Sequence, residues 1–230
     1  MASRGEGQAV LATRARLRAH WRFKVLLPTG SIAVFFLAYF AVLRHPLWPV
    51  TVMPQTALDR LIPFQPAALF LYFTLWAYLS LPPGLLVSRR ELVFYYLGIY
   101  GLAGLGLMAF VLWPTAAPVP DIDWARYPSF GFLKTVDASG NACPSLHAAF
   151  AVFTAIWGEC LARECGLRGG VRAVNLLWGL AIVYSTLATK QHVAVDVYAG
   201  AALGALVAAA HIAAFRYARG RYAAACVAVA

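Results

Sequence analysis

LVFYYLGIYGLAGLGLMAFVLW, residues Leu92–Trp113, runs for 22 residues without one charged side chain. A helix of roughly 20 such residues rises ~30 Å, the thickness of the hydrocarbon core of a bilayer. Five more stretches have the same character: Val25–Leu43, Ala67–Val87, Pro144–Ala162, Val171–Ala188 and Val193–Tyr217. Pro82 and Pro83 end or kink the second, because proline removes a helix hydrogen bond. The pattern predicts an all-α polytopic membrane protein, six transmembrane helices in one bundle. Its organisation is a basic segment 1–24, a membrane domain 25–217 and a tail 218–230. These spans use most of the chain and leave no room for a soluble domain. Val25–Leu43 follows a basic segment as a signal peptide would, but it is too long for a signal core of about 7–15 residues and reads as an uncleaved span.

Composition agrees with the runs. Apolar residues make up 62% of the chain and charged residues 12%, about half the share of a soluble domain. In a soluble protein the net charge of +10 would suggest nucleic acid; here its distribution argues against that partner. With the N-terminus inside, fourteen Lys and Arg residues fall in inside segments, among them Arg14, Arg18, Arg89, Arg163, Arg172 and Arg219. The other five, Arg44, Arg60, Arg126, Lys134 and Lys190, fall outside. The positive-inside rule therefore predicts cytoplasmic termini, with anionic lipid headgroups as partners of the basic side. In the N-terminal segment Val10, Leu17 and Trp21 share a helix side flanked by Arg14, Arg18 and Arg22. It could lie flat on the inner leaflet or be a basic tail that only sets topology. Cys143, Cys160, Cys165 and Cys226 have no metal-site spacing and read as structural thiols.

Polar groups gather at one membrane face. Pro144–Ser145–Leu146–His147 opens the fourth span at its outer end, where Pro144 suits the first helical turn. Backbone donors of that turn, with Ser145, form an anion site, and His147 can protonate an oxygen leaving it. Ser185 and Thr186 close the fifth span; Lys190, Gln191, His192 and Asp196 lie in the turn and the first helical turns after it. His192 and Asp196 are four apart and share a helix face, so a carboxylate on one ring nitrogen leaves the other to attack. The loop before the fourth span adds Arg126, Lys134, Asp137 and Asn141. Taken singly, each has a structural reading: an interfacial histidine, helix-packing hydroxyls, a snorkelling lysine. Their meeting at one depth favours function. His45 and His211 lack such company and read as structural.

These motifs, "NACPSLHAAFA" and "STLATKQHVAVDVYAG", resemble the second and third motifs of the phosphatidic acid phosphatase type 2 superfamily. Their wording is closest to the branch of inositol phosphorylceramide synthases and bacterial relatives, as are "DRLIPFQPAALFLYFTLWAY" from Asp59 and "LWPTAAPVP" from Leu112. The resemblance covers about Asp59 to Gly200. It implies an integral protein of a bacterial inner membrane whose site faces outward, and phosphoryl transfer without metal or other cofactor through a phosphohistidine. By position, it implies His192 as nucleophile, Asp196 as its orienter and His147 as the acid, with Ser145 holding phosphate. The chain departs from the pattern twice: the lysine and Arg–Pro of the first motif are missing, and Thr186 stands where the third motif carries arginine. Val119, between two prolines, also stands where relatives carry arginine. Lys190 is the first substitute cation, then Arg126 and Lys134.

A lipid phosphatase or phosphotransferase acting on a lipid phosphate or phospholipid is thus expected. The alternative is a transporter using Lys190, His192 and Asp196 as an anion or proton relay. The lipid, the choice of hydrolysis or transfer, and the oligomeric state stay open.

Overall fold

A computed structural model describes residues 14–131 and 140–228 and is nearly all-α. Lys134 and Asp137, along with residues 1–13, lie outside the described residues. Helix α1 is Trp21–Arg44, followed by strand β1, Thr51–Val52, and the short α2, Ala57–Leu61. The second apolar stretch is three helical pieces end to end: α3 (Ala68–Phe73), α4 (Leu75–Leu79) and α5 (Leu81–Leu85). Pro82 and Pro83 sit in the first turn of α5, where a missing N–H costs least. Helix α6, Arg89–Leu112, starts on a Ser88–Glu91 capping box, each side chain accepting the other's backbone N–H. After β2 (Thr115–Ala116) come α7 (Leu146–Glu164), α8 (Gly169–Ala188) and α9 (Ala194–Ala228).

The chain is an integral membrane protein: five helical runs, α1, α3–α5, α6, α8 and the part of α9 to Arg219, are long and apolar enough to cross a bilayer. Helix α7, read from the sequence as the fourth of six spans, has 19 residues but is not among the five. Glu159, Arg163 and Glu164 crowd its last turns. The packing explains the difference. Helix α7 is the central helix, with Phe150, Phe153 and Trp157 buried along it and α8 and α9 packed on its sides. A helix sheathed by protein presents little surface to lipid and needs less hydrophobicity than its neighbours.

Helices α7 and α9 approach until their backbones nearly touch. A Cβ on Gly200 would lie 2.1 Å from the Ser145 carbonyl oxygen, and one on Gly204 2.2 Å from that of Ala149. Small residues four apart allow this spacing in membranes. The two ends of the bundle differ in chemistry. At one end Glu159 binds Arg163 and Arg172, and Arg219 reaches Glu164 and Glu91. At the other end, β1 pairs in parallel with β2, and Ala116 bridges Gly140, tying the α1–α2 and α6–α7 connections into a small plate. The site lies at this second end.

Candidate active site

The turn from α8 to α9 carries the first histidine. The carbonyl of Thr186 accepts the N–H groups of both Gln191 and His192 at 3.2 Å. Lys190 has φ +55°, a left-handed conformation that reverses the chain into α9. Asp196, fully buried in the first turn of α9, accepts the N–H of Val193 through Oδ2 at 3.1 Å. The same oxygen stands 3.6 Å from His192 Nδ1, just beyond hydrogen-bond length. Among the described residues, neither His192 Nδ1 nor Asp196 Oδ1 has a hydrogen-bond partner. The two residues are neighbours, as the sequence suggested, but they do not share a helix face: His192 lies in the turn before α9, which begins at Ala194, and the turn sets the contact.

The second histidine comes from the start of α7. Ser145, not Pro144, begins this helix: it is the N-cap, and its Oγ accepts the Ala148 N–H at 3.3 Å. The expectation that Pro144 occupies the first turn is corrected, and the Ser145 hydroxyl is committed to the cap. The Ser145 N–H donates to the Asp196 carbonyl at 2.9 Å, locking the start of α7 to the first turn of α9. His147 stacks on Tyr72, ring centroids 3.7 Å apart, and its Nε2 donates to the Tyr72 carbonyl at 3.0 Å. A carbonyl only accepts, so that bond sets the tautomer and leaves Nδ1 for other chemistry.

Both histidines face one cavity of about 500 Å³. Asn141, held by a bond from its Nδ2 to the Tyr39 carbonyl, joins them. The remaining wall is aromatic and aliphatic, with Phe35, Phe36 and Phe40 from α1, and Phe73 and Trp76 from the second span. A smaller cavity of about 70 Å³ shares Phe35, Trp76 and Phe150 with it and extends to Pro28 of α1.

Other expected ligands stand elsewhere. The buried hydroxyls of Ser185 and Thr186 donate to the carbonyls of Ile182 and Val183 within their own helix, and neither lines the cavity. Lys190 Nζ donates to the carbonyls of Asp59 and Ile62, at 2.9 and 2.5 Å. Burial holds its ammonium below the usual lysine range, with the Asp59 carboxylate pulling the other way. Arg126 is exposed on a short 3₁₀ turn, 3.9 Å from Asp123. Among the described residues, no lysine or arginine lines the cavity.

The sequence reading gave Asp59 no role. It is buried, and its Oδ1 accepts the Ala194 N–H at 2.8 Å, which fastens the α2 segment to the start of α9. The available signal was Thr56–Ala–Leu–Asp59, a capping-box pattern before a short helix.

A family model described as the PAP2 superfamily matches residues 92–220, more than half of the chain. The protein belongs to the PAP2 superfamily. Membership makes it a phosphatase or phosphotransferase of that superfamily. The matched region holds both histidines and Asp196 but stops short of Asp59 and of the aromatic wall given by α1 and the second span. No curated protein matches the chain, and no solved structure does.

Proposed function

We propose that the protein cleaves or transfers a lipid phosphate through a phosphohistidine on His192. The observation that carries this reading is the shared cavity: two histidines at one end of a space otherwise walled by aromatic side chains of membrane helices. Such a wall suits an apolar chain, and the histidines suit a phosphate at its head. With Asp196 facing Nδ1, Nε2 of His192 attacks phosphorus, forming the N–P bond as the P–O bond to the lipid breaks. His147, protonated on both ring nitrogens with its Nε2–H on the Tyr72 carbonyl, gives the leaving oxygen the proton from Nδ1 and is left as the neutral Nε2–H tautomer. Water or an acceptor alcohol then attacks phosphorus, giving its proton to His147 Nδ1 as the N–P bond breaks and His192 leaves. Asn141 on the cavity wall and backbone N–H groups at the start of α7 beside Ser145 are the groups proposed to hold phosphate oxygens, with Lys134 a further candidate cation.

We read α7 as a span as well, the fourth of six in one bundle, with both termini cytoplasmic and the histidines on the outer, periplasmic side of a bacterial inner membrane. In support, Arg163, Arg172 and Arg219 stand at the opposite end, suited to anionic headgroups. The resemblance to the phosphorylceramide synthase branch favours transfer between lipids. The lack of Lys and Arg on the described cavity wall favours a phosphodiester over a dianionic monoester, since a dianion in a poorly hydrated site needs fixed cations. Nothing observed favours transport.

The test is a panel of lipid phosphomonoesters, pyrophosphates and diesters given to the purified protein in detergent, with phosphate and lipid products assayed separately. Products are expected, and their disappearance in His192→Ala. No turnover of any lipid would reject the reading. A preference for the monoester of about a hundredfold, ~2.7 kcal/mol, would reject the diester part alone.

A further inference from the structure

We infer that Asp59 is a positioning residue for His192, keeping the Asp196 carboxylate available to the histidine ring by satisfying the backbone beside it. The inference rests on the role proposed above for His192. The start of a helix leaves N–H groups without intrahelical partners, and a carboxylate in its first turn ordinarily folds back onto them. Two of these donors at the start of α9, on Val193 and Ala194, are on buried residues. Asp196 takes the first. Asp59 takes the second from 135 positions away in the chain. Asp196 therefore spends only part of its acceptor capacity on backbone: Oδ1 has no partner, and Oδ2, with one, faces His192 Nδ1 at 3.6 Å.

Asp59 is itself fixed on three sides. Its Oδ2 accepts the N–H and the hydroxyl of Thr56, at 2.7 and 2.8 Å. Its carbonyl accepts from Lys190 Nζ, and the Gln65 N–H donates to the Ala188 carbonyl at 2.9 Å. The segment from Thr56 to Gln65 thus crosses the turn that carries His192 and is pinned to it at both ends. Loss of the Asp59 carboxylate would strand the Ala194 N–H, and the carboxylate on the same helical turn able to take it is Asp196. That rotation would remove the orienter from His192 without touching the histidine.

The test is a double-mutant cycle on phosphoryl transfer, using Asp59→Ala, Asp196→Ala and their combination. Asp59→Ala is expected to lower kcat by about 10²-fold with KM nearly unchanged, because a small misplacement of a reacting group costs on that order. Added to Asp196→Ala it should cost less than about threefold more, since the two act as one unit. A full, additive loss in the Asp196→Ala background would overturn the inference, as would a loss matched by the thermal melt. If Asp59→Ala does not fold, Asp59→Leu, which fills the space and offers no acceptor, takes its place in the same cycle. Nitrogen-15 histidine spectra give a reading independent of turnover. His192 should hold its proton on Nδ1 in wild type and become a mixture of tautomers in the Asp59 variant. An unchanged His192 spectrum would overturn the inference. If the wild type turns over no lipid, the proposed function fails and this spectrum alone judges Asp59.

Discussion

His147 and His192 share a cavity, yet their surroundings divide the labour between them. His192 presents one nitrogen to a buried carboxylate, a setting that favours a cationic, phosphorylated ring. His147 has its Nε2–H fixed on a carbonyl and its ring stacked on Tyr72, which holds it in place without a negative charge. On the proposed mechanism, His192 as nucleophile and His147 as acid should respond differently to removal. His192→Ala is expected to abolish turnover of every substrate, because no covalent intermediate forms. His147→Ala should cost about 10²–10⁴-fold for an alkyl leaving group, whose oxygen needs a proton. A nitrophenyl ester, which leaves as a stable anion, should lose much less. Rates for matched alkyl and nitrophenyl substrates check this. Equal losses would show that His147 only binds phosphate.

At the scale of elements, the site exists because α7 and α9 come close enough for Ser145 to bond the Asp196 carbonyl. Gly200 and Gly204 permit that approach, and a methyl group at Gly200 would overlap a backbone carbonyl that cannot swing away. Gly200→Ala should therefore destabilise the protein by about 1–3 kcal/mol and lower activity by separating the two histidines. Gly169, where a Cβ meets open space at the other end of the bundle, supplies the control: Gly169→Ala should leave both unchanged. Thermal melts in detergent and kcat for the two variants check the prediction. An unaltered melt for Gly200→Ala would show that the helices can separate at no cost.

Across the whole molecule, charge is segregated: the described ion-pair network of glutamates and arginines sits at the end away from the histidines. This polarity gives the topology test its design. Cys143 is buried, and burial, with the Asp196 carboxylate nearby, pushes its thiol up to about 11. Raising a thiol's pKa lowers its thiolate fraction, here to about 10⁻³ at pH 8, so Cys143 should label slowly with an impermeant maleimide. Val119, 87% exposed at the histidine end, is the better reporter. In sealed cells Val119→Cys should label at once and Gly169→Cys only after lysis. The reverse pattern would invert the orientation.

The sequence alone determined the membrane class and the helices, because a run such as Leu92–Trp113 has no other solvent. Its boundaries held to a few residues, with α6 beginning at Arg89 and ending at Leu112. It also showed that His192 and Asp196 lie close, since residues four apart around a helix start stay neighbours, although His192 sits in the turn before α9 and not on its face. Other facts are decisions of the tertiary structure. Helix α7 is central and less apolar because its neighbours, not lipid, surround it. Lys190 serves carbonyls of the α2 segment, and Ser185 and Thr186 serve their own helix. The aromatic wall from α1 and the bond from Asp59 to Ala194 join residues far apart in the chain. Periodicity and spacing report what a residue can do within a turn or two of itself. Which donor meets which acceptor across the bundle is set by how the helices pack, and in a poorly hydrated interior a donor left without a partner is costly.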